Sequence, residues 1–297
     1  MAEFALGERY QDADGDLVAD TPTDPAQQVD PSTLIFAYTP VEDPAVYREV
    51  WAEFLDHMAE LTGKNVQFFP VQSNAAQIEA MRAGRLHVAG FNTGSNPIAV
   101  ACAGYSPFAM MAGNDGSFGY EMEVITYPGS GVDEVADIKG KTLTHTSQTS
   151  NSGYKAPTAL MKAEFGMISE QDYDVQFSGK HDNSILGVAN KDYEVATIAN
   201  SVKKRMVDRG VVSEDQFNIL YTSQTFPTTS YGTAHNLTPE LQAKIREAFF
   251  TFEWAGTGLA EEFGKNGEEQ FIEITFKKDW DVIRKIDAAN GVSYDCQ

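Results

Sequence analysis

Apolar residues form short continuous runs that alternate with stretches repeating every three or four positions. The first run, LIFAY at 34–38, reads as a buried strand. Val46, Val50, Trp51, Phe54, Leu55, Met58 and Leu61 then predict a helix over 44–61, ended by Gly63 as a left-handed cap. NVQFFPV (65–71) is a second strand. Ser73 caps a helix running through Ile78 and Met81, and Gly84 stops it. LHVAGF (86–91) is a third strand, and Pro97 suits the first turn of a helix reaching Ala103. Three strand–helix repeats in about 70 residues predict a mainly parallel sheet with helices on both faces.

A second series begins near Tyr120. MEVITY (122–127) is a strand, and residues 135–146 give a short helix and another. A polar loop at 146–153 opens a helix over Ala156–Phe165. YDVQF, a helix around Ile185–Ala189 and YEVATIA continue the alternation. After NILYTS, the segment 225–237 reads as a loop, followed by amphipathic helices at 239–252 and 277–289. No fixed-period repeat is evident. The pattern therefore predicts an acidic extended leader over 1–33 and two α/β lobes.

Charge narrows the partners. The 22 Lys and Arg against 43 Asp and Glu give a net charge of −21, which argues against nucleic acid and against an anionic membrane surface. No apolar run is long enough for a transmembrane helix. The start, MAEFALGERYQDADGD, lacks the basic and apolar regions of a signal peptide. In the leader, Asp12, Asp14, Asp16 and Asp20 surround Gly15; alternating carboxylates of this kind are a calcium-like metal candidate, although the bidentate Glu of an EF-hand is missing. Cys102 and Cys296 fit no metal-ligand spacing and are either buried thiols or one long-range disulfide.

Candidate chemistry lies in the strand-to-helix loops. Thr146–Gly153 carries seven hydroxyl or amide side chains and ends on a glycine. Unpaired N–H groups and a partial positive charge make a helix start an anion site, to which Ser150, Asn151 and Ser152 add neutral donors. Phe91–Pro97 is a matching loop at a strand's carboxyl end, where ligands sit in open α/β sheets. His181 opens a third such loop, as an imidazolium or an Nε2–H donor. No phosphate-binding glycine loop, serine elbow, dinucleotide motif or HExxH is present, so no enzyme signature and no cofactor is expected.

These segments resemble a known family. FFPVQSNAAQIEAMRAGR (68–85), VAGFNTGS (88–95), DGSFGY (115–120), HTSQTSNSGY (145–154) and SGKHDNSILGVAN (178–190) look like the periplasmic phosphonate/phosphite-binding proteins of ABC importers, close to marine cyanobacterial phosphite-binding members. The resemblance covers about 34–287. It implies a two-lobed type II binding-protein fold, with 34–120 and 228–297 in the first lobe and 121–227 in the second, that closes on its ligand, hinged near 119–121 and 226–231. It places the oxyanion loop on Ser150, Asn151 and Ser152 and the family's histidine on His181. A tyrosine of relatives falls on Phe91, which has no hydroxyl, so Asn92 or Thr93 is expected to replace that contact. Another falls on Asn74. Tyr120 completes the expected set.

Relatives that take aminoalkylphosphonates hold the ammonium with carboxylates; the matching positions here are Ser201 and Thr229, both neutral. The resemblance thus implies a small phosphorus oxyanion without an amine, phosphite first and methylphosphonate or phosphate next. It would be bound without Lys or Arg, with Phe91 as an apolar wall. It further implies a monomer that serves a permease and its ATPase, periplasmic or membrane-anchored outside the cytoplasm. Because the chain of this fold returns to the first lobe, it implies a Cys102–Cys296 disulfide. Two other classes stay open at this level: an oxyanion sensor signalling to a membrane kinase, favoured by a free Cys102 in the cleft, and a small α/β hydrolase.

Overall fold

Eleven strands form, most of them where the apolar runs lie, in a computed structural model that describes residues 4–294 and Cys296. In chain order they are β1 (Thr33–Ala37), β2 (Asn65–Phe68), β3 (Val88–Phe91), β4 (Tyr105–Ala112), β5 (Tyr120–Thr126), β6 (Thr142–His145), β7 (Asp174–Phe177), β8 (Val195–Ala199), β9 (Asn218–Phe226), β10 (Ser230–Ala234) and β11 (Gln270–Glu273). They build two sheets, ordered β11-β4-β10-β3-β1-β2 and β7-β6-β8-β5-β9. Each contains a parallel trio, β2-β1-β3 and β7-β6-β8, made by the strand–helix repeats that the pattern predicts. Antiparallel strands extend both trios: β10, β4 and β11 in the first sheet, β5 and β9 in the second. The sheets are mixed because the chain crosses between them twice, at 113–119 and 227–229, and each crossing delivers a strand running the other way.

Several elements differ from the pattern. The helix expected over 44–61 breaks at Trp51 into Tyr47–Val50 and Ala52–Thr62, while Gly63 takes the expected left-handed cap at φ 68°. Ser73 accepts from the Ala76 N–H at 3.2 Å and caps Asn74–Arg82. Four elements escape the pattern reading: β4, β11 and the helices Asn200–Asp208 and Gly258–Phe263. The segment read as a loop over 225–237 contains β10, an inner strand of the first sheet. Gly232 lets β10 lie against β4; a Cβ there would come within 2.2 Å of the Ser106 carbonyl.

An aromatic cluster fills the first lobe, where Trp51, Phe54, Tyr231, Phe249 and Phe271 pack with ring centroids 4.7–6.4 Å apart. The leader runs extended along this lobe. Gly7 N–H donates to the Ala101 carbonyl at 2.8 Å, Tyr10 donates its hydroxyl proton to the Cys102 carbonyl, and Val29 bridges to Leu237. Carboxylate oxygens of Asp12, Asp14 and Asp16 gather within 4.8 Å of one another. Asp20 stands apart and accepts from the Ala13 N–H. Among the described residues no helix is long and apolar enough to cross a membrane.

Cys102 and Cys296 are joined, with Cα atoms 5.0 Å apart, and the bond pins the C-terminal tail to the helix Asn96–Ala103. The loop it closes spans 194 residues. In the chain-entropy account such a loop contributes up to about 4–5 kcal/mol. Reduction, or Cys296→Ser, is expected to lower the denaturant midpoint accordingly; an unchanged midpoint would show that the tail adds no constraint.

Candidate functional site

The second-lobe side of the site is set by the loop between β6 and the helix Ala156–Glu164. Ser150 is its cap: its Oγ accepts from the Gly153 N–H at 3.0 Å. The next turn is wide, with Lys155 N–H donating to the Ser150 carbonyl at 3.0 Å, five residues back. Such π turns recur at functional sites, because the extra residue re-aims neighbouring groups. Here it turns Asn151 and Ser152 into the cleft, where both are buried. Gly153 is needed at this bend, since a Cβ would lie 1.9 Å from Thr146 Oγ1.

His181 starts the next helix and faces Ser150, Nε2 to Oγ at 3.2 Å. Its Nδ1 accepts from the Ala199 N–H at 3.0 Å. That bond fixes the tautomer: the ring proton sits on Nε2 and points toward the cleft. Burial pushes the imidazole down to about 4, with Glu42 opposing the shift. His181 is therefore a neutral donor at neutral pH, not the imidazolium that the sequence left open. Replacing it with Ala is expected to weaken oxyanion binding by about 1.5–3 kcal/mol, the range for a hydrogen bond to a charged group. Titration calorimetry reads this, and wild-type affinity in the variant would remove His181 from the site.

The first lobe contributes Tyr38, Asn92, Thr93, Thr228 and Thr229, with Tyr120 at the crossing. Tyr120 accepts from the Asn151 amide at 3.2 Å, and burial raises its hydroxyl above the usual range, so it keeps its proton. Thr93 donates to the Pro227 carbonyl at 2.7 Å, and its own carbonyl accepts from Trp280 Nε1 at 2.9 Å. Ser201 lines the opposite wall. The space between these walls is small, about 40 Å³. At roughly 10–15 Å³ per water, it would take about three waters, the size class of a small anion.

Two expected residues lie elsewhere. Phe91 does not line the space. As the last residue of β3 it points into the core against Tyr105, centroids 4.7 Å apart, and the loop that follows the strand brings Asn92 and Thr93 to the cleft. The apolar wall comes instead from Val41, Met111, Val202, Tyr231 and Phe263. Asn74 also stands outside the cavity. It donates to Thr149 Oγ1 at 2.8 Å and accepts from Asn92 at 3.0 Å, so it bridges the two lobes. Asn92 is partly spent in that bridge and in accepting from the Ser95 N–H.

The expectation of a site without Lys or Arg is also overturned. Arg205, from the helix Asn200–Asp208, lines the cavity and is buried. Its charge is shared: the guanidinium lies 3.6 Å from Glu42 and 3.5 Å from Glu262, and Arg209 reaches both carboxylates as well. Two acids and two arginines thus neutralise one another beside the ligand space. Glu268 is a further lining residue that the sequence reading did not select. Behind the oxyanion loop, Lys155 pairs with Asp287 at 2.8 Å, both buried, and donates to the Gly94 carbonyl at 2.7 Å.

A family profile described as "ABC transporter, phosphonate, periplasmic substrate-binding protein" matches residues 36–280. The chain belongs to this family. Phosphate-import protein PhnD of Mycolicibacterium smegmatis is 25% identical over 94% of this chain and 89% of its own length. The phosphonates-binding periplasmic protein of Escherichia coli is 25% identical over 74% and 66%. Among solved structures, PhnD1 from Prochlorococcus marinus in complex with methylphosphonate superposes with TM-score 0.77 at 13% identity, covering 88% of this chain and 99% of that one. A binding protein component of an ABC phosphonate transporter from Pseudomonas aeruginosa gives 0.75 at 22%, covering 88% and 89%. These likenesses show the type II fold. As a member of the family, the chain is a periplasmic substrate-binding protein of an ABC transporter.

Proposed function

We propose that this binding protein captures a small phosphorus oxyanion between its lobes and delivers it, as a monomer outside the cytoplasm, to an ABC permease and its ATPase. One observation carries the ligand class: a small cavity of about 40 Å³ lined by Ser150, Asn151, Ser152, Thr93, Tyr120 and the Nε2–H of His181. Converging neutral hydroxyl, amide and N–H donors in so small a space suit a compact oxyanion. The small volume excludes nucleotides. Ser201 and Thr229 are neutral, which removes the pair of carboxylates that would hold an ammonium tail. The expected order of affinity is phosphite, then methylphosphonate, then phosphate: a P–H or P–CH₃ group can sit on the apolar wall of Val41, Met111 and Phe263, whereas a fourth oxygen needs a donor there. A sensor with a reactive thiol is not supported, because Cys102 is bonded to Cys296. Titration calorimetry with these three ligands and 2-aminoethylphosphonate tests the reading. Tightest binding of the aminophosphonate would overturn it.

A further inference from the structure

A carboxylate in the wall of an anion site is unexpected. Glu268 reaches the cavity from the turn after Gly267, whose φ of 82° ends the preceding short helix. Thr228 donates to its Oε1 at 3.5 Å, the long limit of a hydrogen bond, so the carboxyl keeps acceptor capacity free. An ionised carboxylate and an ionised oxyanion repel each other at close range. Two like-charged acids in one site resolve this by holding one proton between them.

We propose that Glu268 accepts the hydrogen of the bound oxyanion, so that ligand and carboxylate share a single proton in the closed complex. This rests on the phosphorus-oxyanion reading above. The bond is P–O–H to carboxylate, or its mirror, carboxyl O–H to the fully ionised ligand. The proton count is the same in both, and no covalent bond changes.

The surroundings of Glu268 favour the shared proton. Burial pushes its carboxyl up to about 7, opposed by Arg205. The other groups facing it do not titrate near neutrality. Arg205 stays charged within its cluster with Glu42, Glu262 and Arg209. Tyr38 and Tyr231 are raised by burial, and His181 lies far below neutrality. A neutral Glu268 leaves Arg205 less compensated, which suits an incoming anion.

The consequence is a choice of ligand by hydrogen. Phosphite, phosphonates and phosphate carry an ionisable hydrogen near neutral pH; sulfate does not. Sulfate would have to be met by an already protonated Glu268, without any proton of its own to contribute.

Proton-linked calorimetry tests this with methylphosphonate in two buffers of different ionisation enthalpy. At pH 8.5, where ligand and carboxylate are both ionised when free, binding should take up close to one proton. At pH 5.5, where both carry a hydrogen, binding should release a proton. Glu268→Gln can donate through its amide N–H or accept through its carbonyl, so its binding should be proton-neutral at both pH values. Sulfate, which only a protonated Glu268 can meet, should bind the wild type roughly thirtyfold more weakly at pH 8.5 than at pH 5.5, and the variant with little change between the two. Binding with equal proton counts in both proteins overturns this inference alone. Loss in the variant of a preference for 2-aminoethylphosphonate, with no change in proton count, would reassign Glu268 to a cationic tail and overturn it as well. No binding of any phosphorus oxyanion would overturn the ligand reading and this inference with it.

Discussion

Gly94→Ala is expected to abolish tight ligand binding while leaving the fold intact. Gly94 lies in the loop after β3, and its backbone is not in the left-handed region that excludes other residues. The three atoms nearest an added methyl all belong to the opposing lobe: Thr149 O at 2.3 Å, Asn151 N at 2.4 Å and the Ser150 carbonyl carbon at 2.9 Å. These are backbone atoms of the oxyanion loop and cannot swing aside. With the lobes apart, the methyl faces water and costs little. With the lobes together, it wedges the cleft open by more than an ångström. The variant should melt within a few degrees of the wild type, yet bind methylphosphonate at least a hundredfold more weakly, a loss above about 2.7 kcal/mol. Small-angle scattering should show the wild type contracting on ligand addition, by bending at 113–119 and 227–229, and the variant not contracting. A variant that contracts and binds normally would mean that closure does not bring these loops together.

Acid should destabilise the ligand-free protein, and three groups with large shifts contribute most clearly to the slope. Burial lowers both His145 and His181 from 6.5 to about 4. Below pH 6.5 the unfolded chain binds two protons that the folded one refuses, so their contribution is full above 6.5 and falls as the pH drops toward 4. Glu268 has the opposite sign. Its folded value of about 7 lies above 4.5, so between those values the folded state holds the extra proton and gains stability as pH falls. The net difference from these three groups is one proton between pH 4.5 and 6.5. At about 1.4 kcal/mol per proton per pH unit, the protein should lose roughly 3 kcal/mol between pH 6.5 and 4.5. His87 and His235, also lowered by burial, steepen the fall. Glu268→Gln removes the opposing group, so its loss should be roughly twice as large. Denaturant titrations at four pH values read both slopes. Equal slopes in the two proteins would show that Glu268 does not titrate as its burial requires.

The parallel trio of each sheet and its helices were legible because strand–helix alternation leaves continuous apolar runs next to amphipathic ones, and because Ser73, Pro97 and Gly63 mark helix ends by local chemistry. The oxyanion loop was legible for the same reason: caps, hydroxyls and a glycine act within eight residues. What stayed hidden depends on distant partners. In the helix Asn200–Asp208, the sequence NSVKKRMVD looks like a solvated charged face. Arg205 is buried only because Glu42 and Glu262, 163 and 57 residues away in the chain, are brought against it. Glu268 reads as one more acid in a chain with 43 of them. Strand β10 was masked by glycine and threonine in SYGTA, residues typical of loops, which β10 uses because β3 and β4 press on it from both sides. Phe91 does not take the place that the resemblance gives it, because the last side chain of this buried strand packs inward on Tyr105.

The hydrogen bond from Trp280 to Thr93 gives the protein an optical readout of its own. Trp51, Trp254 and Trp280 are all buried in the first lobe, but Trp280 is the one whose indole N–H is tied to the backbone of a cavity residue. An anion settling against Thr93 changes the field along that indole, so its emission should shift while the other two stay constant. Trp280→Phe would silence the signal without removing any group that touches the ligand, and stopped-flow fluorescence could follow capture and release in the unlabelled protein.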